Sequence, residues 1–259
     1  MTDNNQGCKI TLYWLEQSRS HRILWLLEEL QLKYELKTFK RRDRLAPPEL
    51  KQVHQLGKSP IITIEAPGTE KPLVLAESGA IIEYLCDHFS SGQPTLVPER
   101  YQAGREGQVG GEREEWMRYR YFMHYAEGSL MPYLVMSLVN DTVRNSPPFF
   151  LRPITAIVAS QVESGFLTRN IQGNLAFLEH QLQTAPGGGP FLCGKELTAA
   201  DILMSFPIIA ASGRILKDET QRDKYPLLVA YAKRLEEADG YKKAVTKIEQ
   251  VDGHFSASM

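Results

Sequence analysis

The change of hydrophobic pattern near residue 90 constrains the fold of this chain more than any other feature. Before it, short β-rich runs alternate with amphipathic helical runs, which is typical of an α/β unit. One predicted helix carries Ile23, Leu26, Leu27 and Leu30, and another begins at Ser78. The predicted strands are Lys9–Trp14, Tyr34–Phe39, Ile61–Ile64 and Leu73–Ala76.

After that point the chain shows only helical patterns. Ser90–Gly111 is rich in Gly, Pro and polar residues and is typical of a linker. Trp116–Leu134 and Ile171–Leu182 each have apolar residues at helical spacing, and the segment Asn140–Pro153 between them contains three prolines, which predict a loop over part of it. We therefore predict an α/β domain at 1–92, a linker at 93–111 and an all-helical domain at 112–259.

Charge and cysteine content exclude several function classes. Thirty basic and thirty-one acidic residues give a net charge of -1, which provides no overall attraction for nucleic acid. Cys8, Cys86 and Cys193 are widely spaced and form neither a CxxC motif nor a zinc-finger pattern, so we expect a reducing compartment and no metal. The chain has no long apolar run and a polar N-terminus, so we expect a cytosolic protein without an integral membrane segment.

The residues from Leu197 to Ile202 predict a helix start in the second half. Thr198 can cap the helix while Asp201, three residues later, accepts from the cap residue's amide, and Leu197 and Ile202 can form a hydrophobic staple. Such capping boxes occur in many folds, so this one predicts a structural role only.

Three short motifs in the first half could bind an anionic, peptide-like ligand. Ser18 and Ser20 precede a helix, where free amides and the helix dipole favour an anion, although either serine could simply cap it. Ser59-Pro60 precedes a strand, where a cis peptide would present the main chain of Ser59, although most X-Pro bonds are trans. Glu77-Ser78 joins a strand to a helix and suits an α-amino acid group, although it is equally compatible with a plain helix start.

The order of these motifs resembles the glutathione transferase family. The resemblance covers nearly the whole chain and includes HQLGKSP, ESGAI and LTAAD, and SRSHRILWLLEEL, APPELKQVHQLGKSPIITI and HYAEGSLMP resemble fungal transferases of the yeast type. It implies a thioredoxin-like glutathione-binding domain followed by an all-helical domain that holds an electrophilic substrate.

The resemblance also implies roles for individual residues. Pro60 would be the cis-proline, Ser59 would bind the cysteinyl backbone of glutathione, and Glu77 and Ser78 would bind its γ-glutamyl group. Lys58 matches a position that often contacts the tripeptide. A basic residue would neutralise the glycyl carboxylate, and three remain open for this role: Arg44, Arg41 and Lys40.

The catalytic position departs from the family pattern. Serine-type transferases place the activating hydroxyl five residues before the arginine of the first helix, and counting back from Arg22 gives Gln17. Ser18 is the first alternative donor to the sulfur, and a backbone amide is another. The remaining candidates are Tyr13 in the first strand and His124 and Ser129 on the first long helix of the second domain.

The resemblance implies an enzyme that conjugates glutathione, its co-substrate, to small hydrophobic electrophiles, and whose thiolate could also reduce organic hydroperoxides. It implies a homodimer as well, in which a first-domain edge meets the second domain of the partner. Two other classes compete: a non-catalytic interaction or regulatory module, which often loses the Glu-Ser pair, and a thiol oxidoreductase. The latter needs a cysteine where this chain has Ser18 and Ser20.

Overall fold

The first half of the chain folds around a four-stranded mixed sheet. The computed structural model describes residues 4–90 and 96–255. The strands are β1 (Lys9–Leu15), β2 (Tyr34–Phe39), β3 (Ile61–Glu65) and β4 (Leu73–Ala76). Their order in the sheet is β2-β1-β3-β4, with β1 parallel to β2 and the other two pairs antiparallel. All four predicted strands are confirmed within one residue.

The two faces of the sheet are covered differently. Helices α1 (His21–Glu29) and α2 (Ser78–Phe89) cover one face, where Ile10, Leu12 and Trp14 of β1 join the main core. A 3₁₀ turn (Pro48–Gln52) covers the other face, over a small cluster of Leu15, Leu50 and Ile61. Side chains alternate between faces along β1, so the end of this strand is buried from both sides.

The second half is helical. Its helices are α3 (Glu114–Tyr125), α4 (Met131–Asn145), α5 (Arg152–Val162), α6 (Thr168–Gln183), α7 (Ala199–Arg214), α8 (Glu219–Lys224), α9 (Pro226–Glu237) and α10 (Asp239–Asp252). A wide π-helical turn joins α3 to α4 at Ala126–Leu130, and another joins α5 to α6 at Glu163–Leu167. Helix α7 packs against α1, α2 and α3, and thereby joins the two halves.

The predicted capping box at the start of α7 is confirmed. Both carboxylate oxygens of Asp201 are buried acceptors: Oδ2 accepts from the amide of Thr198 at 2.9 Å and from its hydroxyl at 2.7 Å. Oδ1 accepts from the amide of Leu192 at 3.1 Å and from the Tyr231 hydroxyl at 2.7 Å. Four donors converge on one carboxylate, which anchors α7 to the loop before it and to α9.

The predicted domain boundaries remain a prediction, and the one at residues 92 and 93 lies outside the described residues. In the part of the chain that the structure describes, no helix is long and apolar enough to cross a bilayer. Within the same ranges, no group of three or more His, Cys, Asp or Glu side chains is arranged to hold a metal ion.

Candidate functional site

The Ser59–Pro60 peptide bond is cis, as the resemblance implied. Pro60 is buried and Ser59 is half-buried beside the end of β1. The Ser59 hydroxyl donates to the main-chain carbonyl of Tyr13 at 3.3 Å. The loop before β3 therefore lies directly against the turn that follows β1.

That turn contains Gln17, Ser18 and Ser20. Gln17 is exposed and has φ of 47°, a left-handed conformation that is uncommon for a residue other than glycine. The Ser18 hydroxyl donates to the carbonyl of Leu15 at 2.6 Å, and its oxygen accepts from the amide of Ser20 at 3.2 Å. Ser20 occupies the N-cap position of α1 but makes no side-chain cap, so the plain N-cap interpretation is wrong for Ser20.

Instead, three serine hydroxyls meet at this point. Ser18 Oγ lies 2.9 Å from Ser20 Oγ and 3.5 Å from Ser59 Oγ, and Ser20 also hydrogen bonds to Ser59. Ser18 and Ser59 are half-buried, whereas Ser20 has no exposed surface. The structure thus brings together the predicted sulfur donor and the predicted backbone-binding serine.

Glu77 and Ser78 lie where β4 passes into α2. Glu77 is exposed and has φ of 71°, and such conformations of non-glycine residues cluster at ligand-binding sites. The Glu77 side chain does not cap α2, and within residues 4–90 and 96–255 no other side chain does, so the first amides of α2 keep their capacity to bind an anion. The Ser78 hydroxyl oxygen accepts from Arg22 Nη2 at 3.0 Å, which leaves the hydroxyl proton available to a ligand.

Arg22 links this site to the helical half. Its guanidinium is fully buried and donates to Ser78, to the carbonyl of Leu203 on α7 at 2.7 Å and to the carboxylate of Glu127. Burial lowers the pKa of Arg22, while the Glu127 carboxylate opposes that shift. Glu127 also pairs with Arg19 at 3.5 Å, so the π-helical turn that carries it is joined to α1 by Arg22 and to the turn before α1 by Arg19.

The structure separates the basic residues considered for the glycyl carboxylate. The Arg41 guanidinium donates to the carbonyls of Glu16 at 3.1 Å, Gln17 at 2.9 Å and Arg44 at 3.1 Å. Lys40 pairs with the carboxylates of Glu16 at 3.3 Å and Asp252 at 3.0 Å. In residues 4–90 and 96–255, the side chains of Arg44 and Lys58 form no hydrogen bond or ion pair, and both are exposed. Of the three candidates for the glycyl carboxylate, Arg44 is therefore the one left unpaired within these ranges, and Lys58, predicted to contact the tripeptide, is unpaired there as well.

The other predicted catalytic residues are placed less decisively. His124 is exposed near the end of α3, and Ser129 is half-buried in the same π-helical turn as Glu127. A Cβ on Gly79 would lie 3.8 Å from the Met123 carbonyl, so the end of α3 lies beside the start of α2. No hydrogen bond joins His124 or Ser129 to the serine cluster within the described ranges. The ring of Tyr13 stacks on Phe39 at 6.3 Å.

Neither buried cysteine provides a reactive thiol, and Cys8 lies just before β1, at the opposite end of that strand from the serine cluster. Burial raises the pKa of Cys86 to about 12 and raises the pKa of Cys193 well above its ordinary value. Both thiols are therefore protonated at neutral pH and are poor nucleophiles. This argues against the thiol oxidoreductase interpretation.

His21 follows Ser20 and lies in an aromatic cluster with Phe206, Tyr241 and Phe255, at ring distances of 5.7 to 5.9 Å. Burial, together with the positive charge of Arg22, lowers the pKa of His21 to about 3. This histidine is therefore neutral at physiological pH, and it adds no positive charge beside the serines.

Sequence reasoning missed the contact between Arg22 and Glu127, the hydrogen bonds from Arg41 to main-chain carbonyls and the link through Ser20. A signal for Arg22 was present, since an arginine within the apolar helix HRILWLLEEL must find a partner if it is buried. Nothing in the sequence indicates that the partner is Glu127, which is 105 residues away.

Comparison with known proteins identifies the family. Residues 18–88 match the glutathione S-transferase N-terminal domain and residues 153–245 match the C-terminal domain. Glutathione S-transferase 1 of Saccharomyces cerevisiae is 31% identical over 95% of this chain and 98% of its own length. Glutathione S-transferase 3 of Schizosaccharomyces pombe is 30% identical over 93% and 88%.

Solved structures give the same result. A glutathione S-transferase from Actinobacillus pleuropneumoniae superposes with a TM-score of 0.68 at 28% identity, over 96% of this chain and 95% of that one. A Phanerochaete chrysosporium glutathione transferase in complex with oxidized glutathione has the same fold, with a TM-score of 0.65 at 19% identity over 95% and 98%. The cis-proline loop, the uncapped starts of α1 and α2 and these matches together show that the chain belongs to the glutathione S-transferase family and is a transferase.

Proposed function

We propose that this enzyme binds glutathione along the end of β1 and the starts of α1 and α2, and transfers its thiolate to hydrophobic electrophiles. The observation that carries the proposal is the convergence of Ser18 and Ser59 into one hydroxyl cluster beside the turn after β1. A non-catalytic interaction or regulatory module has no glutathione thiol or peptide backbone for these two half-buried hydroxyls to contact.

The γ-glutamyl end of glutathione is assigned to Glu77 and Ser78. Its carboxylate would accept from the Ser78 hydroxyl and from free amides of the first turn of α2, and its ammonium would face the Glu77 carboxylate. The peptide portion would hydrogen bond to the main chain of Ser59. Arg44 and Lys58 are the cations available to the glycyl carboxylate.

The sulfur is assigned to Ser18. An ordinary thiol has a pKa of about 8.5, so lowering it by about two units takes about 2.7 kcal/mol, which one or two charge-assisted hydrogen bonds can supply. Ser18 can release the carbonyl of Leu15 and donate to the thiolate instead. The amides at the uncapped start of α1 add to the same positive potential.

With a chloro-dinitroaromatic substrate, the bound thiolate attacks the ring carbon that carries chlorine, so a C–S bond forms and chloride leaves. The thiol proton passes to solvent when glutathione binds. Beyond ionising the sulfur, the enzyme gains rate by holding both reactants together. With an organic hydroperoxide, the thiolate attacks the terminal oxygen, the O–O bond breaks and the alcohol leaves, and the sulfenic acid of glutathione forms. The thiol of a second glutathione then reduces this sulfenic acid, which gives the disulfide and releases water.

The test is the Ser18→Ala variant. Because it removes the donor to sulfur, we expect turnover with the chloro-dinitroaromatic substrate to fall about tenfold or more, with little change in glutathione affinity. Steady-state kinetics and titration calorimetry with glutathione measure the two quantities. Ser129→Ala and His124→Ala test the other two candidate donors in parallel. If either of these variants loses turnover while Ser18→Ala does not, the sulfur donor is on the helical half. Failure of the native protein to bind glutathione would support a scaffold role.

We also propose that the enzyme works as a homodimer. Leu73 and Val74 lie on β4, at the edge of the sheet, and both are exposed, as are Met117 and Tyr121 of α3. Such side chains support a contact between the sheet edge of one subunit and the helical half of the other. Sedimentation of the native protein and of Val74→Glu tests this: the native protein should be a dimer and the variant should dissociate.

A further inference from the structure

The buried hydroxyl of Ser20 has a role that helix capping does not explain. A serine at this position normally accepts a hydrogen bond from an amide in the first turn of its helix. Ser20 makes no such cap on α1. In the described part of the chain, the hydrogen bonds of its hydroxyl go only to the Oγ atoms of Ser18 and Ser59. Both of these serines belong to the proposed glutathione site.

The number of hydroxyl hydrogens limits the directions in which the three serines can hydrogen bond. Each hydroxyl has one hydrogen to donate. The Ser18 hydroxyl donates to the carbonyl of Leu15, and the Ser59 hydroxyl has the carbonyl of Tyr13 within reach. Ser20 has no carbonyl acceptor of its own within the described ranges, so its proton goes to Ser18 or to Ser59.

Glutathione binding would resolve this choice. When Ser18 turns from the carbonyl of Leu15 to the sulfur, its oxygen can accept from the amide of Ser20 and from the hydroxyl of Ser20 together. Ser59 can in turn donate to Ser20. The three hydroxyls then point in one direction, from Ser59 through Ser20 and Ser18 to the thiolate.

We propose that Ser20 is a positioning residue that orients the Ser18 hydroxyl toward the glutathione sulfur and strengthens it as a donor. The proposal rests on the proposed function, because it requires Ser18 to contact the thiolate. Hydrogen bonds in a chain polarise one another, so a hydroxyl whose oxygen already accepts is a better donor. Ser20 has no exposed surface, so it cannot touch the ligand and acts only through Ser18.

The test measures the pKa of the bound glutathione thiol, read from the ultraviolet absorbance of the thiolate as pH is raised. We expect Ser20→Ala to raise this pKa by about half a unit to one unit, as loss of one hydrogen bond predicts. The activity lost near neutral pH should return at higher pH. Affinity for S-methylglutathione, which cannot ionise, should change less than about twofold, because Ser20 does not touch the ligand.

A double-mutant cycle distinguishes action through Ser18 from an independent effect. In the Ser18→Ala background, Ser20→Ala should cause no further rise in the thiol pKa. Ser20→Thr, which keeps the hydroxyl, should retain the native value. The control is Ser205→Ala on α7, a buried serine that donates to Ile202 at 2.7 Å and should leave the thiol pKa unchanged.

Several outcomes would overturn the proposal. An unchanged thiol pKa in Ser20→Ala, or shifts that add in the double variant, would show that Ser20 does not act through Ser18. A Thr variant shifted as far as the Ala variant would show that packing sets the value. If Ser18→Ala itself leaves the pKa unchanged, the proposed sulfur donor fails as well, so the two failures are distinguishable.

Discussion

This molecule has two kinds of helix start with hydroxyl or carboxylate side chains. In one kind these groups hydrogen bond within the protein, and in the other they leave the helix amides open to a ligand. At α7, Asp201 accepts four donors from the protein itself and is fully buried. At α1 and α2, no side chain in the described residues caps the helix, and serine hydroxyls lie where β1 and β4 end instead. Both sets were visible in the sequence as hydroxyl or acidic residues at predicted helix starts.

The difference shows what separates a structural helix start from a binding site. A capped start has used its amides, so it stabilises the fold and offers nothing to a ligand. An uncapped start beside a cis-proline loop retains amides and hydroxyl protons that an anionic ligand can use. The comparison therefore predicts that variants at α7 change stability, whereas variants at α1 and α2 change binding and catalysis.

Removing the Asp201 carboxylate should have the largest effect. Asp201→Ala leaves the amides of Thr198 and Leu192 and the hydroxyl of Tyr231 without their acceptor. We expect the free energy of unfolding to fall by about 3 kcal/mol or more, because buried donors without partners are costly. Chemical denaturation measures this loss.

The folded fraction of Asp201→Ala should bind glutathione with unchanged affinity. Asp218, which caps α8 from an exposed position, provides the matched control, and Asp218→Ala should cost about 1 kcal/mol or less. If Asp201→Ala weakened glutathione binding while stability held, the division between the two kinds of helix start would be wrong.

Ser78→Ala is the corresponding variant at an open helix start. We expect glutathione affinity to fall about ten- to thirtyfold, since the γ-glutamyl carboxylate loses a hydroxyl donor. The free energy of unfolding should fall by about 1–2 kcal/mol, less than in Asp201→Ala, because Nη2 of the buried Arg22 loses Ser78 as an acceptor but keeps Glu127. Calorimetric titration measures the affinity, and Ser90→Ala at the other end of α2 is the control that should bind normally. Equal losses in the two variants would rule out a specific role for Ser78.

The buried histidine beside the open helix start gives a pH-dependent test. The folded-state pKa of His21 is about 3, against an ordinary value of 6.5, so the unfolded chain takes up a proton that the folded protein excludes. The contribution of His21 to stability is therefore fully present above about pH 6.5, and it falls with decreasing pH by up to about 1.4 kcal/mol per pH unit down to about pH 3.

Replacing His21 removes this contribution. His21→Phe should flatten the decline in unfolding free energy between about pH 6.5 and 5, whatever its effect on absolute stability. Denaturant unfolding at a series of pH values measures the slope. The control is His88→Phe, at an exposed position of α2, which should keep the native slope. An unchanged slope in His21→Phe would show that this ring is not held neutral.

Much of the fold was predictable because it is encoded locally. Three predictions that depend on neighbouring residues are confirmed. They are the alternation of strands and helices in the first half, the capping box at Thr198 and Asp201, and the helical spacing from Ile171 to Leu182. The resemblance predicted the cis bond before Pro60, which the dipeptide alone could not indicate. The roles of Ser18, Ser59, Glu77 and Ser78 remain predictions.

The rest of the site depends on packing between distant segments. Arg22 meets Glu127 and Leu203 only because α7 packs against both α1 and the π-helical turn that carries Glu127, and no local pattern encodes that contact. The three basic residues Lys40, Arg41 and Arg44 look equivalent in sequence. The structure separates them because the Arg41 guanidinium donates hydrogen bonds to main-chain carbonyls and Lys40 forms ion pairs with carboxylates.

That separation yields the prediction with the smallest effect. Arg44→Ala should raise the KM for glutathione about three- to fivefold with kcat unchanged, because an exposed cation contributes modest, salt-screened attraction to the glycyl carboxylate. The increase should shrink as salt is added, which steady-state kinetics at several ionic strengths will show. Arg42, an exposed neighbour paired with Glu49 at 2.7 Å, is the matched control, and Arg42→Ala should leave KM unchanged. Equal effects of the two substitutions would mean that the general charge of this loop attracts glutathione, and that its open helix starts alone provide the specific contacts.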